Sequence, residues 1–137
     1  MPKFLIQANY KPEGLKGVLK EGGTGRRKAV EQMSAAFGGK VEAFYFAFGD
    51  TDAFVVVDAP DNVTAAAVAM AVNASGLVSS TTTPLLTPEE VAEMLRVARK
   101  TVIVMAREGR LPSISIGRFV RFDLQQIQAW IDRNRRQ

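Results

Sequence analysis

The chain has 137 residues, of which 47% are hydrophobic, and a formal net charge of +4; it contains no cysteine and no histidine. These absences exclude disulfides and thiolate metal sites, and they remove the most common general base and metal ligand. The length allows one medium domain or two small ones. No apolar run is long enough for a membrane span and the first residues lack a signal-peptide pattern, so we expect a cytoplasmic protein without membrane contact.

The charge is divided unevenly along the chain. Residues 1–86 hold 8 Lys+Arg and 8 Asp+Glu, whereas residues 87–137 hold 10 and 6, so the second part carries the whole +4. A basic segment of this kind suits phosphate binding, although a solvated basic face is the simpler alternative. We therefore predict two domains, 1–86 and 87–137.

The first part predicts alternating strands and helices. A strand leads into a helical segment that is interrupted by glycines, and a turn-rich segment separates two central strands. A helix capped by Asp61 and ended by Gly76 precedes the last strand. The predicted strands cover 3–9, 41–48, 53–58 and 77–86, and the first helix ends with 26–37. This β-α-β-β-α-β order indicates an α+β, ferredoxin-like fold.

Helical periodicity predicts a buried face for each of the two helices. The residues expected to be buried are Ala29, Val30, Met33, Ala36 and Phe37 in the first helix, and Val63, Ala66, Ala67, Met70, Ala71 and Ala74 in the second.

The second strand is apolar on both faces, which predicts that another element or another chain packs on each face of the sheet. Phe44, Phe46 and Phe48 alternate with Ala43, Tyr45 and Ala47. Two helices cover only one face, so we infer a homodimer in which the N-terminal sheets of two copies face each other. An internal curved face is the alternative.

The segments FLIQANYKPEGLKGVLKEGG, GRRKAVEQ, GGKVEAFYFAFGD and VVVDAPDNVTAAAVAMAVNASG resemble the bacterial GYD domain over residues 1–88. This resemblance implies a ferredoxin-like domain of unassigned function. Our own hypothesis adds an unknown small ligand that this domain senses. The family's Gly-Tyr-Asp signature appears here as Gly49, Asp50, Thr51 and Asp52, without a tyrosine. A role that rests on that tyrosine does not transfer.

The first part offers little catalytic chemistry. The glycines before Arg26 lack the spacing of a phosphate-binding loop and favour a joint between two helical pieces. Asp50, Asp52 and Asp58 lie near a turn and support no metal claim. We expect no cofactor and no enzyme. The N-terminal domain is left undecided in this respect, because Tyr10 and Tyr45 leave cofactor-free oxidative chemistry open.

The second part predicts a compact helical module with a hairpin. Thr87 and Glu90 form a capping-box pattern for a helix that begins at Pro88, and a second helix follows over 99–108. Two short alternating runs around Gly117 predict a tight hairpin. The last helix, 124–133, is expected to point four residues inward: Leu124, Ile127, Trp130 and Ile131.

The stretches LLTPEEVAEMLRVARKTV, REGRLPS and ISIGRFVRFDLQQIQAWID resemble the excisionase-type winged helix-turn-helix, related to the DNA-binding domains of MerR-like regulators. This resemblance implies that double-stranded DNA is the partner and that no residue of the module is catalytic. It places Arg99, Lys100, Thr101 and Arg107 on the recognition helix, Arg118 at the wing tip and Arg121 beside it.

The recognition helix departs from the family at Ile103 and Val104, where an aromatic or polar residue and then a basic one are common. Branched apolar side chains can contact thymine methyl groups but donate no hydrogen bonds. We therefore expect weak base discrimination or, as an alternative, a protein contact at this position.

Our leading hypothesis is a dimeric bacterial transcriptional regulator or an excisionase-like accessory factor. One alternative is a small-molecule binder or cofactor-free enzyme of the dimeric α+β barrel type, with a tail that does not bind DNA. The other is a pure protein-assembly module, whose binding would persist at high salt.

Overall fold

The computed structural model describes residues 2–135 and divides the chain into two compact units, residues 1–83 and 84–137. Within the described residues, no helix is long and apolar enough to cross a membrane.

The N-terminal unit has the predicted ferredoxin-like order. Its elements are β1 (Lys3–Tyr10), α1 (Pro12–Ala36), β2 (Lys40–Phe46), β3 (Ala53–Asp58), α2 (Asn62–Ala74) and β4 (Val78–Leu86), the last of which crosses the boundary between the units. The strands lie in the order β2-β3-β1-β4, and β3 is antiparallel to both β1 and β2. The prediction of an α+β, ferredoxin-like arrangement is therefore confirmed.

The core of this unit lies between the sheet and its two helices. Strand alternation brings Phe4 and Phe44 to the same face as Val55 of β3, and all three are buried. Val30 of α1 and Val72 of α2 pack against this cluster. Both helices thus cover one face of the sheet.

Helix α1 is kinked where the sequence predicts a joint. Gly22 has φ 78° and ψ 165°, which is outside the helical region and is readily adopted only by glycine. Two helical pieces therefore meet at Gly22.

The predicted buried face of α2 is wrong. The six residues expected to be buried are all exposed; Val63 and Met70 have relative exposures of 79% and 73%. Ala65 and Val72 face the core instead. The helix sequence, NVTAAAVAMAVNA, is apolar on almost every side, so periodicity could not select the face that meets the sheet. In α1, Ala29, Val30 and Met33 are half-buried, whereas the predicted Ala36 and Phe37 are exposed at the helix end.

The aromatic alternation of β2 is confirmed for two of its three phenylalanines. The rings of Phe44 and Phe46 lie 5.1 Å apart in an edge-to-face arrangement. Phe48 is fully exposed, because β2 ends at Phe46 and a turn begins there, in which Ala47 N–H donates to the Asp52 carbonyl at 2.8 Å.

The homodimer inferred from this strand stays a prediction. Leu5, Ala43 and Val56 lie on the sheet face opposite the helices, and all three are buried in the single chain. Tyr45, on the same face, is half exposed. The apolar pattern therefore does not by itself require a second copy.

The C-terminal unit contains the predicted helices and hairpin. Its elements are α3 (Pro88–Leu95), α4 (Arg99–Arg107), β5 (Ile114–Ile116), β6 (Phe119–Asp123) and α5 (Leu124–Arg133). Strand β6 pairs antiparallel with β5 and with Leu85 and Leu86 at the end of β4.

One buried cluster joins all these helices to β6. Val91 of α3, Val102 of α4, Phe122 of β6 and Ile127 of α5 have no exposed surface. Trp130 is half-buried against them, and its Nε1 donates to the Arg110 carbonyl at 2.9 Å.

Leu124 is the exception among the four α5 residues predicted to point inward. It has a relative exposure of 39%. Leu124 is the first residue of α5. Its Cα–Cβ bond leans toward the helix N-terminus and therefore past the end of the cluster.

Thr87→Ala tests the capping box, in which Glu90 N–H donates to Thr87 Oγ1 at 3.2 Å and Thr87 N–H donates to Glu90 Oε1 at 3.1 Å. We expect a loss of about 1 kcal/mol in the unfolding free energy, since the Glu90 N–H loses its acceptor. Urea titration followed by the fluorescence of Trp130, the single tryptophan, measures the C-terminal unit. Thr24→Ala, at an exposed position of α1, is the control; equal midpoints for the two variants would contradict the prediction.

Candidate nucleic-acid interface

Helices α3 and α4 are joined by the three residues Arg96, Val97 and Ala98. Arg96 ends α3 in the left-handed conformation, with φ 56° and ψ 45°, and Val97 N–H donates to the Ala92 carbonyl at 3.0 Å. A sharp reversal after a short first helix is typical of the helix-turn-helix motif. The turn therefore sets the direction in which α4 leaves the unit.

Helix α4 is divided into a core side and a polar side. Val102 is buried in the cluster, and Met105 and Ala106 pack against it. At 100° per residue, Lys100 and Arg107 lie on the opposite side of the helix. Lys100, Thr101 and Arg107 are all exposed and are called here the basic face of α4.

Ile103 and Val104 are half-buried and do not belong to the core cluster. Val104 lies on the same side of α4 as Lys100 and Arg107 and between them along the helix axis, so an apolar side chain interrupts the basic face. Hydrogen-bonding groups for base edges are correspondingly few on this helix.

The N-terminus of α4 has no side-chain cap, because the preceding residue is Ala98. The first N–H groups of a helix have no intrahelical acceptor, and they carry a partial positive charge. With Lys100 in the first turn, this end of α4 suits a phosphate group.

Arg99 differs from its neighbours because it has a partner in α3. Its Nε forms a short ion pair with the Glu89 carboxylate, and both side chains are mostly exposed. The backbone N–H of Glu89, followed by the Arg99 guanidinium, holds the pKa of the Glu89 carboxyl below its ordinary value. An exposed pair contributes at most about 1 kcal/mol, so a phosphate could displace Glu89 from Arg99.

The hairpin brings two arginines to one aromatic ring. Gly117, with φ 58°, begins the two-residue turn, and Arg118 completes it. The guanidinium carbons of Arg118 and Arg121 lie 5.5 Å and 5.0 Å from the centroid of the Phe119 ring. Phe119 therefore orders both arginines, a role that sequence reasoning missed although aromatic and basic residues alternate there.

The two hairpin arginines differ in exposure. Arg118 is exposed, whereas Arg121 is half-buried and its Nη1 donates to the Val120 carbonyl at 2.9 Å. Arg118 is thus the better placed of the two for a phosphate.

Three of the predicted contact residues carry uncompensated charge. Within residues 2–135, Lys100, Arg107 and Arg118 have no carboxylate within 4.0 Å. Two further exposed arginines, Arg96 and Arg110, lie near the two ends of α4, and the sequence analysis did not single them out. The exposed cations therefore extend beyond both ends of the basic face.

Two of the three carboxylates singled out in the N-terminal sequence have structural partners. Asp52 Oδ2 accepts from the Tyr10 N–H at 2.9 Å, and Asp58 Oδ1 accepts from Lys3 Nζ at 2.7 Å. Over the described part of the chain, no group of three or more acidic side chains is placed to hold a metal ion.

Comparisons with known families place both parts of the chain. Residues 4–95, which are more than half of it, match the GYD domain, and residues 85–135 match the helix-turn-helix domain. No curated protein and no solved structure matched the chain. The C-terminal match agrees with the geometry of α3, the turn and α4, and supports DNA binding by this unit.

Glu89→Gln tests the contacts of the Glu89 carboxylate with its own backbone N–H and with Arg99 through their pH dependence. The pKa of Glu89 is lower in the folded protein than its ordinary value of 4.5. The contribution of Glu89 to the unfolding free energy is therefore fully present above pH 4.5 and is lost as the pH falls through the folded-state pKa. We expect wild type to exceed the variant in unfolding free energy at neutral pH, and the two to converge in acid. Urea unfolding monitored by Trp130 fluorescence measures this difference.

Glu93→Gln removes the same charge from an exposed position of α3 and serves as the control. A difference between wild type and Glu89→Gln that stays constant from neutral to acidic pH would contradict the assignment.

Proposed function

Because this chain belongs to the GYD domain family and carries a helix-turn-helix domain, we propose that it acts as a dimeric bacterial transcriptional regulator. The observation that carries the proposal is a set of exposed cations that have no carboxylate partner within residues 2–135: Lys100 and Arg107 on α4, and Arg118 on the hairpin. Cations that are already exposed and unpaired bind phosphates without first breaking an internal ion pair. An excisionase-like accessory factor would use the same surface.

In the proposed complex, α4 enters the major groove with its N-terminus leading. Lys100 and the uncapped N–H groups of α4 contact the backbone, and Arg107 lies one and a half to two turns further along the same side. Val104 and Ile103 contact thymine methyl groups. The hairpin acts as a wing in which Arg118 contacts an adjacent phosphate.

Dimerisation through the N-terminal unit would present two such helices to paired half-sites. Once one helix-turn-helix domain of the dimer is bound, the second meets the same DNA at a high effective concentration, which raises the affinity without new kinds of contact. Light scattering at the protein concentration used for DNA binding measures the number of subunits. A regulator is favoured over a recombination factor because the N-terminal unit contains a partly open cavity that suits a sensory role.

Replacing both Arg99 and Lys100 by alanine tests the contact surface. If each side chain neutralises one phosphate, the slope of log affinity against log salt falls by about 2, and binding weakens most at low salt. Fluorescence anisotropy of a labelled genomic fragment at several ionic strengths measures this slope.

The control is the double substitution Lys16→Ala and Lys20→Ala, which removes the same charge from exposed positions of α1. We expect the control slope to stay near the wild-type value. An equal loss of slope in both double variants would show that only net charge matters and would contradict a specific contact at α4.

Glu89→Gln is expected to strengthen DNA binding roughly fivefold, about 1 kcal/mol, because Arg99 loses its competitor and a negative charge leaves the interface. The dissociation constant from the same anisotropy titration is compared with that of Glu93→Gln. If the two glutamine variants strengthen binding equally, release of Arg99 is not the cause.

A further inference from the structure

The N-terminal unit contains a partly open cavity of about 350 Å³ between its sheet and its two helices. Its lining is mainly apolar and includes Phe4, Ile6 and Val55 from the sheet and Ala65 and Ala69 from α2. Small-ligand pockets have volumes of roughly 300–1,000 Å³ and are mostly apolar, with a few polar groups that orient the ligand. The cavity meets this description in size and in lining.

One cation faces this apolar space. Arg26 of α1 lines the cavity, and its guanidinium carbon lies 5.8 Å from the centroid of the Tyr10 ring, which also lines it. The Nε atom of Arg26 is buried, and the described residues supply no hydrogen-bond acceptor for it. Burying such a donor is unfavourable unless an acceptor is supplied.

The carboxylate that lines the cavity is already paired with a lysine. Asp58 accepts a hydrogen bond from Lys3 Nζ at 2.7 Å, and Lys3 also lies 2.7 Å from a Glu42 carboxylate oxygen. Asp58 is therefore held by Lys3, and the charge available to a ligand is that of Arg26.

We propose that this cavity binds a hydrophobic monocarboxylic acid, with the hydrocarbon portion between sheet and helices and the carboxylate on the Arg26 guanidinium. A carboxylate matches the planar guanidinium in geometry and supplies the missing acceptor. A single arginine balances one negative charge, which favours a monoanion over a phosphate dianion. The inference extends the proposed function by naming the signal, and the site itself exists whether or not the chain binds DNA.

The cavity volume limits the size of this acid. An aliphatic cavity of about 150 Å³ holds benzene, so a cavity of about 350 Å³ holds roughly a dozen non-hydrogen atoms. This size corresponds to a medium-chain fatty acid or to a short phenylalkanoic acid.

The arginine end of the cavity is bordered by the α1 kink. Gly23 follows the kinked residue, and a Cβ atom placed there would lie 3.2 Å from the ring of Phe46, which is itself half exposed. The glycine thus lets α1 approach β2 closely beside Arg26. We expect the carboxylate to enter last, at this partly exposed end.

Isothermal titration calorimetry on the full chain tests the proposal. The probes are saturated acids of about six to twelve carbons and phenylalkanoic acids of similar size, with 1-decanol as the uncharged match for decanoic acid. We expect at least one acid to bind, and Arg26→Gln to weaken it tenfold or more. Arg27→Gln is the matched control, because Arg27 is exposed and paired with Glu31 at 2.8 Å; it should leave acid binding unchanged.

A second variant, Ala65→Leu, adds volume at the cavity wall and should abolish acid binding while the melting temperature stays near that of wild type. The proposal is overturned if no acid binds at an acid concentration of about 1 mM, which is well above the dissociation constant expected for a specific ligand. It is also overturned if Arg26→Gln, shown by its melting curve to be folded, binds the acid as tightly as wild type, or if 1-decanol binds as tightly as decanoic acid.

Anisotropy titration of DNA with and without the acid separates this site from the proposed function. Acid binding that depends on Arg26 supports the site even if no DNA binds. DNA binding without acid binding rejects the site and leaves the regulator proposal in place.

Discussion

Burial of Phe122 against Val91, Val102 and Ile127 is the interaction on which the C-terminal unit depends. Helix α4 is only 9 residues long, and an isolated helix of that length is marginal in water. Its helical state and its orientation therefore come from Val102, which is held in the cluster. The side of α4 that bears Lys100 is exposed because the opposite side is buried, so the basic surface is a consequence of core packing.

Local contacts then decide how each cation is presented. Arg99 is paired with Glu89 across the turn, so this pair has to open before the Arg99 guanidinium reaches a phosphate. Phe119 orders Arg118 through its ring face without supplying a competing negative charge. An ordered cation loses less side-chain entropy on binding than a free one. Lys100 has no carboxylate partner among the described residues and supplies a flexible charge.

The cavity of the N-terminal unit follows from the composition of α2. Alanines such as Ala65 and Ala69 face a sheet that carries phenylalanine and valine, and their small side chains leave space that larger residues would fill. The same composition leaves Val63 and Met70 on the exposed side. A helix that is apolar on nearly every side thus produces both the internal space and an apolar outer surface.

The order of helices and strands and most of their ends were predictable from sequence, because they depend on interactions between near neighbours. The capping box of Thr87 and Glu90 spans three residues, and the pairing of β5 with β6 needs only the turn at Gly117. The core side of α4 was predictable from the helical spacing of Val102, Met105 and Ala106, although Ile103 and Val104 between them are apolar too. The cationic candidates on α4 and the hairpin followed from the same local patterns.

Tertiary structure decided what local patterns leave open. The buried face of α2 depends on which small residues fit the sheet, and the pairing of Arg99 with Glu89 depends on how α3 packs against α4. The cavity that contains Arg26 arises from side chains on several elements far apart in sequence. By itself the sequence determined the elements and the charges, because those follow from short-range periods and hydrogen bonds; which faces meet was decided only by packing across the folded chain.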